Sequence, residues 1–123
     1  MMSDKKKTLV LGASDNPSRY SYLAIRKLRS KEHPVVAVGK SDTQVDDVHI
    51  TKEKTPFKDV DTVTLYLNPA HQREYYDYIF SLHPKRIIFN PGAENAELAK
   101  LAKEKNIEPV EACTLVLLST GQY

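Results

Sequence analysis

The chain has 123 residues, 41% of them hydrophobic and 28% charged, with a net charge of +2. These proportions describe one soluble globular domain able to bury a sizeable core, and they exclude a disordered chain. No apolar run nears the ~20 residues of a membrane span. The start, Met1 to Lys7, lacks the apolar stretch of a signal peptide. The lone cysteine, Cys113, excludes an internal disulfide framework and an all-cysteine metal site. The expectation is a cytoplasmic, single-domain protein spanning 1–123, whose mild charge suits a small anionic ligand and gives no case for nucleic acid or membrane.

In chain order, the lysines at 5–7 read as a solvated leader. A first strand is expected over Thr8–Gly12, followed by a helix from Pro17 to Ser30 with Tyr20, Leu23, Ala24, Lys27 and Leu28 on one stripe. A second strand covers Pro34–Gly39. Residues 41–60 show only Val45, Val48 and Ile50 as apolar points before Phe57, and read as an irregular crossover. A third strand is expected over Thr62–Leu67, and a helix over Ala70–Leu82 with Gln72, Tyr75, Tyr76, Ile79 and Leu82 in register. A fourth strand, Arg86–Phe89, precedes a helix over Glu94–Lys105. A weaker fifth strand, Glu108–Cys113, precedes a short helical segment at Leu115–Leu118.

Apolar strands without strict alternation are covered on both faces, as in a parallel sheet. Alternation with helices predicts an α/β, Rossmann-like three-layer sandwich with a five-stranded parallel sheet in the order 3-2-1-4-5. Ligands of such sheets bind beyond the carboxyl ends of the strands, where the order reverses. Attention therefore falls on the loops there.

After the first strand stand Gly12, Ala13, Ser14, Asn16, Pro17 and Arg19. Gly12 permits a tight turn and Asn16 or Ser18 can cap a helix. A helix N-terminus with an arginine beside it suits phosphate. The loop is not G-x-G-x-x-G, and no acid closes the second strand where a ribose-binding carboxylate belongs. Gly39-Lys40 stands there instead, and a cation fits a ribose carrying an extra phosphate. Leu67-Asn68-Pro69 and Asn90-Pro91-Gly92 follow the third and fourth strands, with Glu94 in the next helix's first turn. Cys113 at the fifth strand end reads first as a small buried hydrophobe. The four histidines have no metal-ligand spacing, and Asp46-Asp47 is weak as a cation site. The tyrosines at 75, 76 and 78 read as helix packing.

Gly12-Ala13-Ser14 with Asn16-Pro17-x-Arg19-Tyr20-Ser21, then Asn90-Pro91-Gly92-Ala93-Glu94-Asn95, then Ala112-Cys113-Thr114-Leu115-Val116 and Gly121-Gln122, resemble the small stand-alone CoA-binding domain proteins. These are similar to the N-terminal CoA-binding domain of the succinyl-CoA synthetase α subunit. The resemblance runs from Lys7 to Tyr123. It implies a Rossmann-like fold with coenzyme A, or an acyl-CoA, across the strand ends. It places Gly12, Ala13, Ser14 and Arg19 at the phosphates and Lys40 as a CoA-contacting lysine, with Leu67, Asn68, Pro69, Asn90, Pro91 and Gly92 flanking adenosine and pantetheine. Two departures stand out: Gly39-Lys40 replaces an Asn-Pro common in relatives, and residues 41–60 contain no glycine. The synthetases' phosphorylated histidine lies in a further domain, so binding without catalysis is expected. The alternative reading is a minimal NAD(P)-binding enzyme, against which the missing glycines and acid weigh. Leu115–Leu118 with Tyr123 suits a homodimer partner as well as the chain's own sheet.

Overall fold

The computed structural model describes Lys5–Tyr123; the opening Met1–Asp4, part of the stretch read as no signal peptide, lies outside the described residues. The strands are β1 (Thr8–Ala13), β2 (Val35–Gly39), β3 (Thr43–Val45), β4 (Val48–Thr51), β5 (Thr62–Leu65), β6 (Arg86–Phe89) and β7 (Glu108–Glu111). They form one sheet in the order β3-β4-β2-β1-β5-β6-β7. All neighbours are parallel except β3 and β4.

The sheet therefore corrects two expectations: it has seven strands and is mixed, and Thr62–Leu65 pairs with β1 instead of lying outside β2. The place beside β2 is taken by β4, from the stretch expected to be irregular. Asp46, with φ of 51°, turns β3 back into β4. Val45, Val48 and Ile50 are buried by this hairpin, while His49 and Gln44 face out. The period-two pattern is present, but three- and four-residue strands carry too little of it to stand out. Asp46 and Asp47 meet Arg26 and Arg29 of the first helix at 3.3 and 2.9 Å, so both carboxylates anchor the hairpin. The Arg29 guanidinium holds the Asp47 carboxyl below its ordinary range. The order now reverses between β1 and β5.

The helices are α1 (Tyr20–Ser30), α2 (Pro69–Gln72), α3 (Tyr76–Ser81), α4 (Ala96–Glu104) and α5 (Thr114–Ser119). A single 3₁₀ turn, Arg73–Tyr75, splits the expected helix over 70–82 into α2 and α3. Side chains alternate across the pleat. Leu9, Leu11, Val63, Leu65, Ile87 and Phe89 pack with Ile79 of α3 and Leu98 and Ala102 of α4. Val10, Ala13, Ala37 and Ile50 pack with Ile25 and Leu28 of α1 and Leu118 of α5. Two layers of helix thus enclose the sheet, and every large side chain of β1 is fully buried. Of the tyrosines at 75, 76 and 78, Tyr78 is buried and donates from its hydroxyl to the Thr55 carbonyl at 2.6 Å; burial pushes its phenol up to about 12.

Candidate functional site

The carboxyl ends of β1, β2 and β5 open into a cleft of about 870 Å³, within the size range of small-ligand sites. Its floor depends on two glycines. Gly12, at φ +92°, sits in a bulge between Leu11 and Ala13 that shifts the β1–β2 register. A Cβ there would lie 3.0 Å from the Tyr66 backbone and 3.1 Å from the Leu67 side chain. Gly39 ends β2, and a Cβ on it would lie 2.3 Å from the Ala13 carbonyl oxygen. Both strands can approach this closely only without side chains at these points.

The β1–α1 loop turns on its own side chains. The Asn16 Oδ1 accepts from the Ser18 amide at 3.0 Å and the Ser18 hydroxyl at 2.8 Å, and the Asn16 amide donates to Ser14 Oγ at 3.0 Å. Asn16 thus shapes the turn and does not cap the helix, which begins only at Tyr20. No side chain caps α1, and no acid stands in its first turn. By contrast, Asn68 caps α2 and Asn95 caps α4, each accepting at 3.1 Å, and α4 carries Glu97 in its first turn. The uncapped α1 end therefore presents unanswered N–H groups and partial positive charge toward the cleft. Arg19, Tyr20 and Ser21 line the cleft at that end.

Of the residues singled out from sequence, Gly12, Ala13, Ser14, Arg19, Lys40, Leu67, Asn68, Pro91 and Gly92 line the cleft. Asn16, Pro69, Asn90 and Cys113 do not. Pro69 is the first residue of α2. Asn90 is 2% exposed and turned inward: its Nδ2 donates to Thr64 Oγ1 at 2.7 Å and the Leu65 carbonyl at 2.9 Å, and its Oδ1 accepts from the Thr114 amide at 2.8 Å. Cys113 is half-buried at the start of α5. Glu94 accepts from the Gly92 amide at 3.0 Å, closing its own loop.

Sequence reasoning missed Gln72, Tyr66 and Thr43. Gln72 is fully buried, and its Nε2 donates to the carbonyls of Leu67 and Ala93, each at 2.8 Å, while Asn95 donates to its Oε1. It locks two walls of the cleft together. The available signal was a polar residue on the buried stripe of a helix. Tyr66 places its hydroxyl in the interior near the Thr64 and Thr114 hydroxyls, which bond each other at 2.8 Å, in bonding geometry with neither. Burial, with a contribution from the neighbouring Cys113, pushes its phenol far above the ordinary range.

The charged lining residues are Arg19 and Lys40 against Asp15 and Glu74. The Asp15 carboxylate accepts from the Thr43 hydroxyl at 2.8 Å, fastening the loop to β3. Asp15→Asn keeps an acceptor for Thr43 and removes a negative charge from the cleft wall. An anionic ligand should then bind about threefold tighter at low salt, the usual scale for exposed charge pairs; unchanged affinity in a calorimetric titration would refute this.

A family model for the CoA binding domain matches residues 6–119. The chain belongs to this family. The crystal structure of an uncharacterized protein is 49% identical, with a TM-score of 0.95 over 98% of this chain and 100% of that one. A hypothetical protein from Pyrococcus horikoshii OT3 is 22% identical, at TM-score 0.85, covering 95% of this chain and 84% of that one. A Thermus thermophilus protein is also 22% identical, at TM-score 0.80, covering 97% and 91%; the last two share the fold. No curated protein matches the chain. Among the described residues no helix is long and apolar enough to cross a membrane, and no group of three potential metal ligands occurs.

Proposed function

We propose that the protein binds coenzyme A or an acyl-CoA in the cleft at the strand ends, without catalysis of its own. The observation that carries this reading is the uncapped N-terminus of α1, with Arg19 beside it, in a chain of the CoA binding domain family. Free backbone N–H groups and a guanidinium suit the pyrophosphate. Lys40, exposed at the end of β2, suits the ribose 3′-phosphate. Leu67, Asn68, Pro91 and Gly92, on the far wall, suit the uncharged pantetheine arm. Asn16 supports the phosphate loop from behind.

Titration calorimetry of the nucleotide-stripped protein with CoA, dephospho-CoA and NADPH tests the reading. Saturable CoA binding, about tenfold weaker for dephospho-CoA, is expected. Arg19→Ala should weaken CoA by at least about tenfold, the scale of a lost charge-assisted hydrogen bond, whereas Cys113→Ala should leave affinity within about twofold. Equal affinities for wild type and Arg19→Ala would remove Arg19 from the site. Binding of NADPH without binding of CoA would favour the nicotinamide-nucleotide alternative.

A further inference from the structure

Six of the seven tyrosines are held by the fold. The rings of Tyr22, Tyr66 and Tyr123 pack on the core beneath α1 and α5. Those of Tyr75 and Tyr76 pack on the core of the opposite face, and Tyr78 lies within it. Tyr20 belongs to neither core, makes no side-chain hydrogen bond or ring contact with the described residues, and is 71% exposed. A lone exposed ring on open surface needs no explanation. This one lines the cleft, at the first residue of the uncapped α1.

What α1 packs on sets the end of the cleft that Tyr20 borders. The helix lies over β1, β2 and β3, and the 2.8 Å bond from Thr43 to Asp15 fastens the loop before the helix to β3. Tyr20 thus stands at the end lined by Lys40, Ser41 and Thr43, whereas Leu67, Asn68, Pro91 and Gly92 form the far wall.

We infer that Tyr20 is the stacking platform for the ligand's adenine. The inference rests on the CoA reading above and names the part of the ligand that this ring recognises. A ribose whose 3′-phosphate reaches Lys40, and whose 5′-pyrophosphate reaches the α1 end, carries its base on the same side of the cleft. The pantetheine arm leaves the pyrophosphate in the other direction, toward the far wall. Adenine offers flat π-faces, and a tyrosine ring fixed to a helix start meets one of them with few torsions to immobilise. Tyr20 is free to do so because the fold makes no use of its ring. A protein partner would need roughly 20–30 residues a side, not one ring.

The test is calorimetry on the full chain with CoA and with adenosine 3′,5′-bisphosphate, which keeps the base and a phosphate at each ribose position but lacks the pantetheine arm. Displacement of bound CoA measures the bisphosphate where its own heat is small. Tyr20→Ala is expected to weaken both ligands about tenfold, the scale of one base–aromatic stack. Tyr20→Leu keeps apolar bulk without a π-face and should weaken both about fivefold, while Tyr20→Phe should stay within about twofold of wild type. The side chain is exposed, so all three variants should melt with the wild type. Tyr20→Ala or Tyr20→Leu binding CoA as tightly as wild type overturns the platform and leaves the CoA reading standing. A loss for CoA with none for the bisphosphate, or a bisphosphate unable to displace CoA, moves the contact to the pantetheine arm and overturns it too. Tyr20→Phe as weak as Tyr20→Ala assigns the contact to the hydroxyl, with the same result. Binding of neither ligand to wild type overturns the CoA reading and the platform together.

Discussion

Gly39→Ala is expected to lower the melting temperature by roughly 10 °C and to weaken ligand binding at least about tenfold. The new Cβ would sit 2.3 Å from the Ala13 carbonyl oxygen and 3.0 Å from the Ile50 side chain. No rotamer relieves a clash between a Cβ and a backbone oxygen. β1 and β2 must separate at their carboxyl ends, and overpacking of this kind costs about 3 kcal/mol. The displaced oxygen belongs to the last residue of β1, where the β1–α1 turn begins, so Ser14, Asp15 and Arg19 move with it. Gly92→Ala provides the contrast. A Cβ at Gly92 meets nothing within 4 Å, so only the strain of its φ of +92° remains, about 1–2 kcal/mol. Thermal melts of the two variants check the order. A Gly39→Ala protein as stable as wild type would show that the two strands do not press together at this point.

Asn90→Ala is expected to cost about 3 kcal/mol in urea unfolding, with the slope unchanged. The amide joins three elements: it donates to Thr64 and Leu65 of β5 from the end of β6, and accepts from the first amide of α5. Truncation leaves the Thr114 N–H and the Leu65 carbonyl buried without this partner and opens a small void. Asn90→Asp should be comparably destabilised at neutral pH, because the carboxylate turns an oxygen toward the Leu65 carbonyl and is itself buried at 2% exposure. Burial raises such a carboxyl's pKa, so the neutral form suits the folded state. The stability of Asn90→Asp should then recover as pH falls through the carboxyl's raised folded-state value toward its ordinary one, and the wild type should show no such gain. Asn95→Ala removes a helix cap and two part-buried bonds, to Gln72 and to the Tyr76 hydroxyl, and should cost nearer 1 kcal/mol. An Asn90→Ala variant no weaker than Asn95→Ala would show that the buried amide contributes little.

The strands β1, β2, β5 and β6 were legible because each is a short stretch rich in β-branched or large apolar residues without strict polar alternation, as suits strands covered on both faces. The loop at Gly12 to Arg19 was legible because glycine, proline and asparagine restrict the backbone locally. The hairpin β3–β4 was not, since each strand offers only one or two apolar residues and their burial comes from β2 and α1. That one omission also misplaced β5: without β4, the third long strand was assigned to the vacancy beside β2.

Which side chains reach the cleft followed the same division. Sequence alone determined the alternating α/β plan, the phosphate-suited turn after β1, the cation after β2 and the family resemblance, because these depend on residue type and short-range order. Tertiary structure decided that β1 pairs with β5 at the reversal point, that Asn90 turns inward, that Gln72 joins two walls, and that Tyr20 lines the cleft. Each of these depends on which strand ends and helix starts become neighbours. That pairing is set by burial and hydrogen bonding between segments far apart in the chain, as in the 2.8 Å bond from Thr64 to Thr114 fifty residues away, and no local pattern of residues encodes it.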